Sequence, residues 1–92
     1  MNKLGRMTLE FNCLEYDDKH FIHGKIIAYV ESACCLLDAE KRPLHSTIDG
    51  MIIRANTECS EAVFKAVNNI MSGCYPNLYT IIFKPLAEEE TN

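Results

Sequence analysis

The chemistry open to this chain rests on five cysteines and three histidines. His20 and His23 stand three residues apart, and Cys34 is followed directly by Cys35, so these four come nearest to a zinc-ligand set. Their spacing argues against it. Residues 20–26 read as a strand, in which positions three apart face opposite ways. Adjacent cysteines also differ from the usual Cys-x-x-Cys knuckle. No metal ligand is assigned, and a small thiol- or zinc-dependent protein using His20, His23, Cys34 and Cys35 stands as the alternative reading. The odd cysteine count and irregular spacing fit no disulfide framework. Cys13, Cys34, Cys59 and Cys74 fall on predicted apolar faces, where a thiol behaves as a small hydrophobe.

Ser46, His45, Asp49 and Cys59 are residue types that nucleophilic catalysis uses, without the surrounding pattern. The sequence contains no Gly-x-Ser-x-Gly elbow, phosphate loop or dinucleotide fingerprint. Asp17-Asp18 reads as turn chemistry. The sequence therefore predicts no catalytic residue, no cofactor and no enzyme.

Charge narrows the class further. The formal net charge is −4, and the nine basic residues are scattered rather than gathered into the stripe that a phosphate backbone needs. Thirteen carboxylates are too few for a mimic of nucleic acid. Nucleic-acid binding is not favoured. With no run of 18 apolar residues and no apolar leader in residues 1–14, the expectation is a cytoplasmic protein with no membrane contact. The composition, 48% hydrophobic and 24% charged, is that of an ordinary globular chain.

The elements that must position these residues are clearest in 48–84, where an apolar strand, an amphipathic helix and a second apolar strand follow one another. Asn56 or Thr57 would cap the helix, with Glu58 and Glu61 near its positive end. Cys59, Ala62, Val63, Ala66, Val67, Ile70, Met71 and Cys74 share one face, with Val67 and Ile70 pointing at the sheet. Gly73 is placed to terminate the helix, and Pro76 prevents its resumption. Residues 78–83 are β-branched and aromatic on both faces, as in an interior strand covered on two sides. Strand, helix and strand can form a parallel βαβ unit, and antiparallel pairing through other strands is equally open.

Before this unit, Met7, Leu9, Phe11 and Cys13 alternate with Thr8, Glu10 and Asn12, the mark of a half-buried strand. Tyr16-Asp17-Asp18-Lys19 can turn the chain so that 20–26 returns as the second arm of a hairpin, with Gly24 a bulge or strand end. Residues 25–40 read as a second helix, with Ile26, Ile27, Val30, Ala33, Cys34 and Leu37 in one stripe. Read as strands, 26–30 would lengthen the hairpin and 34–37 would pair with 44–48. Asp49-Gly50 supplies a turn, and Glu88-Glu89-Glu90 a solvated tail.

The expectation is a small single-domain α+β fold over 1–92. It has an N-terminal β-hairpin, a C-terminal strand–helix–strand unit, an open question over a second helix at 25–40, and frayed ends at 1–6 and 87–92. A chain of this size without a catalytic constellation acts through a surface. The functional expectation is a non-enzymatic protein-binding or regulatory module, analogous to an accessory protein of a mobile element. Its partner is another protein, with a homodimer as one form. Phe64 lies at the rim of the helix's apolar face and, with Tyr75 and Tyr79, forms the expected partner-binding set.

Overall fold

Strand and helix follow one another as β1 (Leu4–Asn12), α1 (Lys19–Leu36), β2 (Leu44–Asp49), β3 (Ile52–Ser60), α2 (Glu61–Cys74) and β4 (Tyr79–Pro85). The computed structural model describes residues 4–37, 39 and 42–86. Its four strands form one antiparallel sheet in the order β2-β3-β1-β4. Both β3 and β4 run antiparallel to β1, so they are parallel to each other with β1 inserted between them. This is the split βαβ arrangement of ferredoxin-like folds, and the α+β class expected from the sequence holds.

β1 dictates the sidedness of the molecule. Met7, Leu9 and Phe11 are buried, while Arg6, Thr8, Glu10 and Asn12 point the other way. In register with them, β3 buries Ile53, Ala55, Thr57 and Cys59. Ile22, Ile26, Val30, Ala33 and Cys34 of α1 and Val63, Val67 and Met71 of α2 complete this one core. Both helices therefore lie on the same face of the sheet. Thr57 is polar inside the core, and its hydroxyl donates to the Pro43 carbonyl at 2.7 Å.

The N-terminal hairpin does not form. Residues 20–26 are instead the first two turns of α1, which begins at Lys19 and ends at Leu36. The Asp18 carboxylate accepts hydrogen bonds from the backbone N–H groups of His20 (3.1 Å) and Phe21 (3.2 Å), so it is an N-cap rather than a turn residue. The β-branched Ile22, Ile26 and Ile27 imitate a strand locally. Burial at 22, 26, 30 and 33–34 has the helical period, and packing onto the sheet decides between the two. Gly24 is neither bulge nor strand end; it faces open space on α1. The helix expected at 25–40 is thus present, shifted toward the N-terminus.

Three further boundaries differ. β3 continues to Ser60, so Glu58 and Cys59 are strand residues and the caps expected at Asn56 or Thr57 are replaced by Ser60, whose Oγ accepts from Val63 N–H. Cross-strand pairing of 52–60 with β1 outweighs the helix propensity of Glu58. Gly73 lies inside α2, and the chain leaves the helix through Tyr75 and Asn77, the latter at φ 68°. β4 is an edge strand rather than an interior one: Tyr79, Ile81 and Phe83 face the helices, while Thr80, Ile82 and Lys84 are exposed.

The turn expected at Asp49-Gly50 is present. Asp49 pairs with Ile52, leaving a two-residue loop with Gly50 at φ 63°. Gly5 serves a different purpose, since a Cβ there would lie 2.5 Å from both the Lys84 carbonyl oxygen and the Phe83 ring. β1 and β4 approach closely because position 5 has no side chain. Of the ends expected to fray, Leu4, Gly5 and Arg6 open β1, while 1–3 and 87–92 lie outside the described residues, as do Asp38 and Glu40. Val67 is fully buried as expected, and Ile70 is half-buried.

The Asp18 cap makes a direct test of the α1 start. Asp18→Ala is expected to lower stability by about 1 kcal/mol, read as a shift of the urea midpoint with unchanged slope. A hairpin at 14–26 would leave the midpoint where it is.

Candidate functional site

Among the described residues, both helices lie on one face and nothing covers the other face of the sheet, where alternation on each strand determines what is presented. β1 contributes Arg6, Thr8, Glu10 and Asn12, and β3 contributes Ile52, Arg54, Asn56 and Glu58. Thr80, Ile82 and Lys84 extend it on β4, and His45, Thr47 and Asp49 on β2. Ile82 is 56% exposed, an apolar residue in the middle of an outward-facing edge strand.

The charges on this face are organised into pairs. Arg6 donates through Nη1 to Asn56 Oδ1 at 2.9 Å and approaches Glu58 Oε2 through Nη2 at 3.3 Å. Arg42 Nη1 reaches the other Glu58 oxygen at 3.5 Å. Two strand positions further along, Arg54 Nε donates to Glu10 Oε2 at 2.9 Å, and its Nη1 lies 3.5 Å from Asp49 Oδ2. The Glu10 carboxylate, through this hydrogen bond and its charge, raises the Arg54 guanidinium pKa further above its ordinary value. These pairs are all substantially exposed, so each adds little to stability by itself.

At one end of the face, Arg6, Arg42, Pro43, His45 and Glu58 line an open cleft of about 260 Å³. That is below the usual size of a small-molecule pocket. Two guanidinium groups already meet one carboxylate there, so the cleft is a charge-paired notch in a flat face.

The residues expected to bind a partner lie on the opposite side. Phe64 stacks on Phe83 with ring centroids 5.2 Å apart, and Tyr75 meets Phe11 edge-on at 5.0 Å. Tyr79 donates its hydroxyl hydrogen toward Asn68, whose side-chain oxygen is at 2.7 Å and backbone oxygen at 3.1 Å. All three are half-buried against the core.

The four zinc candidates all fall on α1, but not together. His23 and Cys34 are eleven residues apart, roughly 16 Å along the helix axis, and His20 and Cys35 are roughly 22 Å apart. Metal–ligand bonds of about 2 Å cannot span that distance. His23 Nε2 instead makes a 2.7 Å hydrogen bond with Ser46 Oγ, tying α1 to the helix side of β2. Among the described residues no three His, Cys, Asp or Glu side chains converge as a metal site. Ser46 faces the helices, while His45 and Asp49 face the opposite side of β2, so the catalytic residue types are separated by the sheet.

The polar face was within reach of the sequence only in part. Thr8, Glu10 and Asn12 stand on the polar side of the predicted β1. Arg54, Asn56 and Glu58 share the same i, i+2 spacing, but the expected helix start at Glu58 hid the strand that aligns them.

No family model matches the sequence, and no curated protein matches it. A solved structure from Thermus thermophilus, named as a "putative PII-like signaling protein", is similar at a TM-score of 0.53 and 12% identity, covering 96% of both chains. The likeness is one of fold. It spans the whole four-stranded, two-helix arrangement. Among the described residues no helix is long and apolar enough to cross a membrane.

The thiols divide by this geometry. Cys13, Cys34 and Cys59 are buried, and Cys35 and Cys74 are exposed, which corrects the expected inward position of Cys74. A thiol reagent at neutral pH is expected to modify two cysteines quickly, and all five after unfolding. Burial pushes the Cys59 thiol up to about 11, and a side-chain hydrogen bond with Cys74 followed by burial pushes the Tyr29 phenol up to about 12. In both groups the fold favours the protonated form, so the unfolded chain loses these protons first as pH rises. The stability these two groups contribute is expected to be fully present below about pH 9 and to be lost between about pH 9 and 12. Urea midpoints across this range check it, and Cys59→Ala should flatten the part below about pH 11.

Proposed function

We propose that this chain is a small, non-enzymatic regulatory module that binds another protein through the uncovered face of its sheet. The observation that carries the reading is the combination of a one-sided core with an outward face on which opposite charges alternate. On that face three acidic and three basic strand residues, Asp49, Glu10, Glu58, Arg6, Arg54 and Lys84, surround Thr8, Asn56 and the exposed Ile82. A balanced, ordered charge pattern favours specific protein recognition, because complementary charges fix register and reject wrong partners. A phosphate backbone would meet Glu10, Glu58 and Asp49 on the same surface. The separation of the Ser, His and Asp side chains supports a non-catalytic role.

The similar fold of a protein named for PII-like signaling agrees with a regulatory module. A cytoplasmic location follows from the same reading. The helix-side rim of Phe64, Tyr75 and Tyr79 is a secondary contact in this scheme, offering the half of each ring that the core leaves accessible.

Affinity capture from the native host, with wild type beside Thr8→Lys and Ile82→Asp, tests the surface. Partners enriched by wild type are expected to be lost with both variants and kept with Phe64→Leu, each protein first shown to be folded by circular dichroism. Retention of the same partners by both face variants would place the binding surface elsewhere.

A further inference from the structure

The open face carries its charges as a two-by-two checkerboard. Arg6 on β1 is level with Glu58 on β3, and Glu10 on β1 is level with Arg54 on β3. Between the two rows lies the pair Thr8 and Asn56. Along each strand the sign reverses: Arg6 to Glu10 on β1, Glu58 to Arg54 on β3. Each row is already an ion pair within the chain, at 3.3 Å for Arg6–Glu58 and 2.9 Å for Arg54–Glu10.

Such a pattern is complementary to itself. Consider a two-fold axis parallel to the face and midway between two stacked copies, running across the strands at the level of Thr8 and Asn56. It carries the Arg6 row onto the Glu10 row of a second copy, strand over strand. We propose that this face is the interface of a homodimer, in which Arg6 meets the partner's Glu10 and Arg54 meets the partner's Glu58. The two-fold repeats both contacts, giving four arginine–carboxylate pairs between copies. Thr8, Asn56 and Ile82 lie level with the axis and face their own counterparts. Sheets packed face to face stand about 10 Å apart, within reach of opposed arginine and glutamate side chains. This deepens the reading of the open face as the binding surface, on which it rests.

The occupant follows from the charge pattern. A uniformly acidic or basic partner would be repelled by half of the checkerboard, whereas a second copy inverted about the axis matches every corner. The footprint of four strands at about 4.8 Å spacing, each about six residues long at about 3.3 Å rise, is roughly 400 Å² per copy as a flat area. For two copies that is about 800 Å², below the standard specific interface of about 1,600 Å², so the dimer is a weak, reversible one. The charge pairs fix its register.

Two double variants test the geometry. Arg6→Glu with Glu58→Arg, and Glu10→Arg with Arg54→Glu, each exchange one row and preserve an opposite-charge pair inside the chain. In a homodimer of either variant, all four contacts across the interface become like-charged. In a one-to-one mixture, all four become opposite again.

Sedimentation velocity over a micromolar to submillimolar range reads the outcome. Wild type is expected to dimerise, each variant alone to associate at least about ten-fold more weakly, and the mixture to recover the dimer. Should a row exchange lower the melting temperature, Thr8→Lys sets lysine against lysine on the axis and is expected to give the same monomer from one exposed substitution.

Wild type that stays monomeric throughout, either variant dimerising as well as wild type, or a mixture that stays monomeric would each overturn the proposal. A monomeric wild type whose captured partners are still lost with Thr8→Lys would end the dimer and leave the open face as a binding surface. A monomeric wild type whose partners survive that substitution would end both.

Discussion

The period-two alternation of β1 is the constraint on which the rest of the structure depends. β1 is the central strand, paired on both sides, and its side chains alternate between fully buried Met7, Leu9 and Phe11 and outward Arg6, Thr8 and Glu10. A slip of one residue in either ladder would turn a buried apolar set toward water and a charged set into the core. Register is therefore held by apolar burial, and the charges on the far face take their positions from it. Gly5 belongs to the same constraint, because close pairing with β4 and the Phe83 ring above it leave no room for a side chain.

From that strand follow the two layers. Helices with buried faces such as Val63, Val67 and Met71 on α2 must cover an apolar surface, and β1 and β3 offer one only on the side of Phe11 and Ile53. Aromatic contacts then seal the edge: Phe64 on Phe83, Tyr75 on Phe11, and Tyr79 bonded to Asn68. Those rings owe their first duty to packing. The other face meets water in the isolated chain, and its arginines and carboxylates stand in facing pairs set by the strand register.

This division gives the functional argument its weight. Reactive residue types are present but are split between the core, the α1 surface and two opposite faces of β2. Cys34 and Cys59 are buried in the core, His23 is bonded to Ser46, and His45 and Asp49 face outward. What does converge is the set of exposed charges, brought from β1, β2 and β3 onto one plane. A surface of this kind recognises another surface, and its alternation of sign is what gives it a preferred partner and orientation.

The sequence by itself determined the α+β class, the strand through Met7, Leu9 and Phe11, the helix through Val63, Val67 and Met71, and the turn at Gly50, because each rests on local periodicity or local backbone chemistry. Tertiary structure decided the rest. Ile22, Ile26 and Ile27 favour strand by type, and only packing of every third and fourth residue against the sheet, with Asp18 capping the first turn, makes 19–36 a helix. Glu58 favours helix by type, and only the ladder with Arg6 and Gly5 keeps it and Cys59 in β3. The pairing of charges across the face was invisible for the same reason. Arg6, Glu10, Arg54 and Glu58 are separated by up to 52 positions, and strand pairing alone sets them side by side.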